Sequence, residues 1–331
     1  MTTGHQTSWR TATVLDSRVV ADGVRRISLD TDGGPVAEPG AHVDVRIPVG
    51  DRDVLRSYSI VATSPGQVVI SVLRPERTRG GSAYLHRLEV GDTLRVSSPV
   101  QGFPLRLGAS RYLLVAGGIG ITAVLGMAER LAQVGADHRL VYAGRRRSAM
   151  PYLIDLADRH GDRLEVHASD EGERLDVPAL ISGVANDPDR DGVEAYVCGP
   201  LTLLDDFRVR WALAGLPPTN LRFETFGDGG SRTAEAFRLR VPDLGVDTQV
   251  PADESPLDAL VRLGVPVMFD CLKGECGLCV AEVMELEGAI DHRDVFLSPS
   301  QKQQSRSICL CVSRIGRLVP GSTASLTLAR L

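Results

Sequence analysis

The amino-acid sequence predicts a multidomain chain that joins an all-β unit to an α/β unit and ends in a smaller mixed unit. Three observations predict it. Residues 11 to 107 read as short β-rich runs between turn signals, buried-looking strands alternate with helical patterns from about Ser110, and five of the six cysteines lie between Cys271 and Cys311 after a glycine-rich break. The domains expected are an antiparallel barrel over 1–107, a parallel-sheet α/β domain over 108–226, a linker over 227–236 and a cysteine-bearing domain over 237–331.

In the first domain the runs are Thr13–Leu15, Arg25–Leu29, His42–Ile47, Val54–Val61, Val68–Leu73 and Thr93–Val96, separated by turn signals such as Asp32-Gly33-Gly34, Pro39-Gly40 and Pro65-Gly66. Alternating apolar and polar residues between such turns fit an antiparallel barrel. A helix is expected over Ala83–Leu88.

The second domain reads as strands over Tyr112–Ala116, Arg139–Ala143, Leu164–Ala168, Ala195–Cys198 and Leu221–Phe226. Thr122–Val134 and Leu201–Ala214 carry apolar residues at helical spacing, and Gly135 and Gly215 follow as C-terminal caps. Gly227-Asp228-Gly229-Gly230-Ser231 then reads as a flexible linker. In the third domain strands fall near Phe237–Val241 and Thr248–Val250, followed by a helix over Pro256–Leu263. Ser255 and Asp258 supply its N-terminal cap, and Gly264 ends it.

Composition narrows the function classes. With 331 residues, 43% hydrophobic and 24% charged, the chain is globular rather than disordered or fibrous. No apolar run reaches the roughly 18 to 20 residues of a spanning helix, and Met1–Arg10 lacks a hydrophobic signal core, so no membrane partner and a cytoplasmic location are expected. The net charge of -5 and a single short basic cluster, Arg145-Arg146-Arg147, argue against nucleic acid.

Cys271, Cys276 and Cys279 have the C-x4-C-x2-C spacing that, with a distant fourth cysteine, describes plant-type 2Fe-2S sites. Gly274 and Gly277 can take positive φ and bring amide groups to the sulfur atoms. A structural zinc site is the competing account, but it uses paired short knuckles, and the asymmetric spacing here disfavours it. Either Cys309 or Cys311 can supply the fourth thiolate, because alternate strand positions share a face.

Arg56-Ser57-Tyr58-Ser59 lies on an expected barrel strand, where the arginine suits a phosphate, the tyrosine a flavin ring and the serine its polar edge. Arg79-Gly80-Gly81-Ser82 precedes the short helix and reads as an anion site. Gly117-Gly118-Ile119-Gly120-Ile121-Thr122-Ala123 follows the first parallel strand and contains G-x-G-x-x-A, a phosphate-binding turn. The second parallel strand ends in Gly144-Arg145-Arg146-Arg147 instead of an acidic ribose ligand. Those arginines either bind a 2'-phosphate, favouring NADPH, or form a solvated basic turn. Cys198 on a buried strand reads by itself as packing.

Cys311-Val312-Ser313-Arg314, Asp291-His292-Arg293-Asp294, the Arg79–Ser82 loop and the order of the three motifs together resemble the phthalate dioxygenase reductase family over nearly the whole chain. The resemblance implies an antiparallel Greek-key flavin barrel, a parallel-sheet ferredoxin-reductase-type nucleotide domain and a C-terminal β-grasp 2Fe-2S ferredoxin domain. It implies FMN in place of FAD, NADH in place of NADPH, and Cys311 as the fourth ligand with Cys309 as packing. Cys198-Gly199-Pro200 is similar to the segment near the nicotinamide in this superfamily, which places Cys198 beside the chemistry with Ser59, and Phe226 resembles the aromatic residue that covers the flavin.

The function so implied is that of a monomeric NAD(P)H-dependent reductase that passes electrons through FMN and a 2Fe-2S cluster to a separate terminal oxygenase of the Rieske type. A haem-thiolate monooxygenase is the alternative acceptor. A redox sensor without turnover is a third reading, and steady-state NADH oxidation separates it from the others.

Overall fold

The computed structural model describes residues 8–49, 52–75, 80–226, 234–318 and 323–329. The chain divides into two compact units, 1–224 and 225–331. Arg79 and most of the expected linker, residues 227–233, lie outside the described residues.

The first unit opens with β1 (Trp9–Ala21), β2 (Val24–Asp30), β3 (Ala41–Val49), β4 (Arg52–Ser64), β5 (Gln67–Leu73), α1 (Gly81–Leu85), β6 (Thr93–Ser97) and β7 (Val100–Gln101). The strand order is β4-β5-β2-β1-β6-β3-β7, and an added β4–β3 pairing closes six strands into a barrel. Closure removes the free strand edges that would otherwise be open to unwanted pairing. One face of each strand fills the interior with Val14, Ile27, Leu29, Val43, Val45, Ile47, Ile70 and Val96. Strand β1 is far longer than the Thr13–Leu15 run, because much of it is only half-buried and carries polar residues through the middle of a paired strand. Helix α1 starts two residues earlier than expected, with Gly80 as its N-cap at φ 98°.

The same unit continues with β8 (Arg111–Gly117), α2 (Ile121–Gln133), β9 (His138–Gly144), α3 (Leu153–His160), β10 (Leu164–Ala168), α4 (Val177–Ala185), β11 (Val193–Cys198), α5 (Leu201–Leu213) and β12 (Leu221–Glu224). All five strands are parallel, in the order β10-β9-β8-β11-β12. Strand β8 is buried from Tyr112 to Gly117, as a central strand covered on both faces must be. The short helices α3 and α4 escape the sequence pattern, although Asp176 caps α4 by accepting from the Ala179 amide. The last strand stops at Glu224, so Phe226 lies beyond it and not at its end.

The second unit contains β13 (Phe237–Val241), β14 (Val246–Val250), α6 (Pro256–Arg262), β15 (Val280–Glu287), β16 (Ala289–Asp291), α7 (Pro299–Gln304), β17 (Ser307–Cys309), β18 (Arg314–Gly316) and β19 (Ser325–Leu328). Five strands form a mixed sheet, β14-β13-β19-β15-β17, and β16 pairs with β18. Phe237, Leu239 and Val241 face a core shared with Leu257 and Leu260 of α6. That helix begins with the capping box expected from Ser255 and Asp258.

Candidate functional sites

Strand β4 sets Arg56, Ser57, Tyr58 and Ser59 opposite Val45, Asp44, Val43 and His42 of β3. Arg56 and Tyr58 therefore lie on one face, Ser57 and Ser59 on the other. A Cβ placed on Gly81 would stand 3.7 Å from Arg56 Cγ, so the start of α1 lies against the arginine stem. Gly80 needs its φ of 98°, which a side chain would strain. Ser82 follows in the first turn of α1. The arginine stem and a glycine-rich turn thus lie together, the two kinds of group that suit a phosphate, while the guanidinium itself donates to the Leu55 carbonyl at 2.7 Å.

Burial pushes the Tyr58 phenol up to about 12 despite the lowering effect of Arg56, so the ring keeps its proton at neutral pH. The Ser57 hydroxyl is directed away, donating to Asp44 Oδ1 at 2.5 Å. Ser59, buried, donates to Glu224 Oε2 at 3.5 Å. Glu224 is only 2% exposed, and sequence reading missed it. Its one local signal is a carboxylate closing the short strand Leu221–Glu224.

In the parallel sheet, β8 has β9 on one side and β11 on the other, so the ends of β8 and β11 flank a topological switch point. Ligands of open α/β sheets bind in the crevice at that place. The two glycine motifs meet there. A Cβ on Gly117 would stand 2.7 Å from Pro200 Cδ, and one on Gly199 would stand 3.0 Å from Gly117 Cα. A Cβ on Gly120 would overlap the Cys198 carbonyl. Gly118 takes φ 55°, opening the turn that leads into α2.

Cys198 is fully buried at the end of β11. The Thr122 hydroxyl donates to the Ile119 carbonyl at 2.9 Å and so secures the turn itself. Arg145 and Arg146 are exposed just past β9. Their neighbour Arg147 is instead tied to Glu171 and Glu173 at 2.8 and 3.1 Å.

In the second unit the loop from Cys271 to Cys279 wraps around sulfur. The amides of Lys273, Glu275 and Cys276 all donate to Cys271 Sγ, each at 3.4 Å. Gly274 and Gly277 both take φ 76°. A Cβ on Gly274 would stand 2.7 Å from Val312 Cγ2, and one on Gly277 would overlap the Phe296 ring. Cys276 is exposed, and Cys279 Sγ lies 3.2 Å from Cys311 Sγ.

Strand β17 ends at Cys309, and the Ser313 amide bonds back to the Cys309 carbonyl at 3.1 Å, so Cys311 sits in a turn. The premise that both cysteines occupy one strand face is thereby corrected. Cys309 is fully buried in the apolar core, whereas Cys311 is only partly covered. Hydrogen bonds from Cys309 and Cys311 pull the Cys279 thiol down to about 3. Cys309 and Cys311 are pushed up by the same bonds and by burial.

Among the described residues, no three acidic, histidine or cysteine side chains gather as ligands of a metal ion. Even so, the amides converging on Cys271 Sγ, the two positive-φ glycines and the close Cys279–Cys311 pair fit a 2Fe-2S cluster, whose thiolate ligands require neighbouring hydrogen-bond donors. The Asp291-His292-Arg293-Asp294 run read from the sequence lies beside this loop, where the Val295 amide donates to the Gly274 carbonyl at 3.0 Å. Asp294 is completely buried; burial acts to raise its carboxyl, but His292, the Leu297 amide and Lys302 hold it below the usual range.

Comparison with known proteins agrees with this arrangement. Residues 240–316 match the family of 2Fe-2S iron-sulfur cluster binding domains. The chain is 36% identical over 316 residues to a putative toluene-4-sulfonate monooxygenase system reductase subunit of Comamonas testosteroni, covering 92% of this chain and 95% of the relative. It is also 36% identical over 313 residues to the heme-dependent oxidative N-demethylase beta subunit of Ectopseudomonas mendocina, covering 92% and 96%. Among solved structures, phthalate dioxygenase reductase, described as a modular structure for electron transfer from pyridine nucleotides to [2Fe-2S], superposes with a TM-score of 0.76 at 29% identity. That match covers 98% of each chain.

Proposed function

This chain belongs to the phthalate dioxygenase reductase family, and from that premise we propose that it carries electrons from NADH, through FMN and a 2Fe-2S cluster, to a separate Rieske-type terminal oxygenase. The observation that carries the reading is the loop around Cys271 Sγ, on a chain whose other unit builds a nucleotide crevice at a sheet switch point. Bound FMN would supply the exchange between two-electron chemistry at the nicotinamide and one-electron chemistry at the cluster.

The residues serve that chemistry by position. Arg56 and the Gly80–Ser82 turn hold the FMN phosphate. Tyr58 packs on the ring. Ser59 donates its hydroxyl proton to the acceptor edge of the flavin, its contact with Glu224 being a long 3.5 Å. Gly117, Gly118, Gly120 and Thr122 shape the pyrophosphate turn, with Cys198, Gly199 and Pro200 on its other side. Arg145 and Arg146 take the adenosine end, and comparing turnover with NADH and NADPH checks the coenzyme. Cys271, Cys276, Cys279 and Cys311 ligate the cluster.

We place the reductase in the cytoplasm as a monomer. Its described cysteines form no disulfide, as cluster ligands in a reducing compartment should not. No helix among the described residues is long and apolar enough to cross a membrane.

The test is Cys276→Ser. The variant should keep NADH-driven flavin reduction at the parent rate and lose delivery to one-electron protein acceptors. Parent-level reduction of such an acceptor would refute the route through the cysteine loop. A haem acceptor is the second reading, favoured by the heme-dependent relative. Purified oxygenases of the two kinds, assayed side by side for reductase-dependent turnover, separate the readings.

A further inference from the structure

Thr225 is the first residue of the second unit and is completely buried. Its polar groups are directed at the cysteine loop. The amide donates to Glu275 Oε1 at 2.6 Å, and the hydroxyl lies 2.6 Å from the Lys273 carbonyl and 3.0 Å from Glu275 Oε1. Lys273 and Glu275 are two of the three residues whose amides point at Cys271 Sγ. Thr225 therefore grips the residues that aim those amides, from a distance of about fifty positions in sequence.

The loop needs such a grip. Leu272 is held at φ 54° and Gly274 at φ 76°, and a non-glycine residue in the left-handed region persists only where its surroundings hold it there. Hydrogen bonds to sulfur stabilise the more negative, reduced form of an iron-sulfur cluster and so raise its potential. We propose that Thr225, acting through Glu275 and Lys273, is a positioning residue that holds the cluster potential high enough to accept an electron from the flavin. The step is a one-electron transfer in which no bond is made or broken. The proposal rests on the cysteine loop being the cluster site.

The experiment uses the full-length holoprotein. Thr225→Val keeps the size of the side chain and deletes its hydroxyl, whereas Thr225→Ser keeps the hydroxyl. EPR-monitored redox titration gives the cluster potential, and stopped-flow mixing with NADH gives the rate of flavin reduction. Thr225→Val should shift the cluster equilibrium about tenfold toward the oxidised form, equivalent to about 59 mV for one electron. Thr225→Ser should match the parent, and flavin reduction should keep its rate in both. An unchanged potential in Thr225→Val overturns the proposal, as does an equal shift in both variants. Loss of the cluster from Thr225→Val alone supports a hydroxyl-dependent grip, and loss from both variants overturns it. A parent protein with no EPR signal from a reduced cluster would instead sink the reading of the four cysteines as ligands.

Discussion

Gly120 is packed so tightly that a single methyl group at its Cα would overlap the Cys198 carbonyl. The neighbouring backbone cannot retreat cheaply, because Gly117 and Gly199 already bring their strands close. Gly120→Val should therefore displace the phosphate turn by a large fraction of an ångström. A loss of roughly 100-fold in kcat/KM for NADH is expected, since misplacement on that scale is enough for it. Steady-state reduction of ferricyanide measures the loss, and EPR of the cluster after chemical reduction should match the parent. Contacts of this kind are why the glycine motifs could be read from sequence. Glu224 and Thr225 could not be, because their partners lie 165 and about 50 residues away.

At the level of the element, two helix ends carry measurable consequences. Ser255 and Asp258 satisfy the first amides of α6 reciprocally. Ser255→Ala should cost about 1 kcal/mol, visible as a thermal midpoint lower by about 4 to 8 °C if the second unit melts separately. At the other site, His160 ends α3 with its ring against His138 at the start of β9, Nδ1 to Nε2 at 3.2 Å. Burial lowers its pKa first, with His138, Arg163 and Arg159 adding to the effect.

A histidine whose folded pKa is depressed binds its proton more readily in the unfolded chain. The stability tied to keeping His160 neutral is present above the unfolded pKa of about 6.5 and is lost as the pH falls toward the lower folded value. Thermal melts between pH 7.5 and 5.5 should fall more steeply for the parent than for His160→Gln. Equal slopes would remove His160 as the cause. Neither α3 nor this pair was legible in the sequence, since a helix of 8 residues offers little periodicity and the two histidines stand 22 positions apart.

Across the whole molecule, the features that survive reduction to local pattern are those imposed by backbone geometry. The barrel runs, the parallel strands, the phosphate turn and the cysteine spacing each leave glycine, turn or alternation marks. The boundaries are harder to read. The strand expected to reach Phe226 stops at Glu224, and no neighbour in sequence announces that. The end of β17 at Cys309, which puts Cys311 in a turn, was likewise not announced by the sequence.

One feature of the nucleotide crevice bears on how such chains diversify. Arg145 and Arg146 stand exposed just past the end of β9, two and three residues beyond Ala143, which pairs with Gly117 of the crevice. With these two arginines at the proposed adenosine end, coenzyme preference would change by ordinary surface replacement while the glycine turn stays intact. Descendants of one ancestor are free to draw on either reducing pool of a cell without rebuilding their architecture.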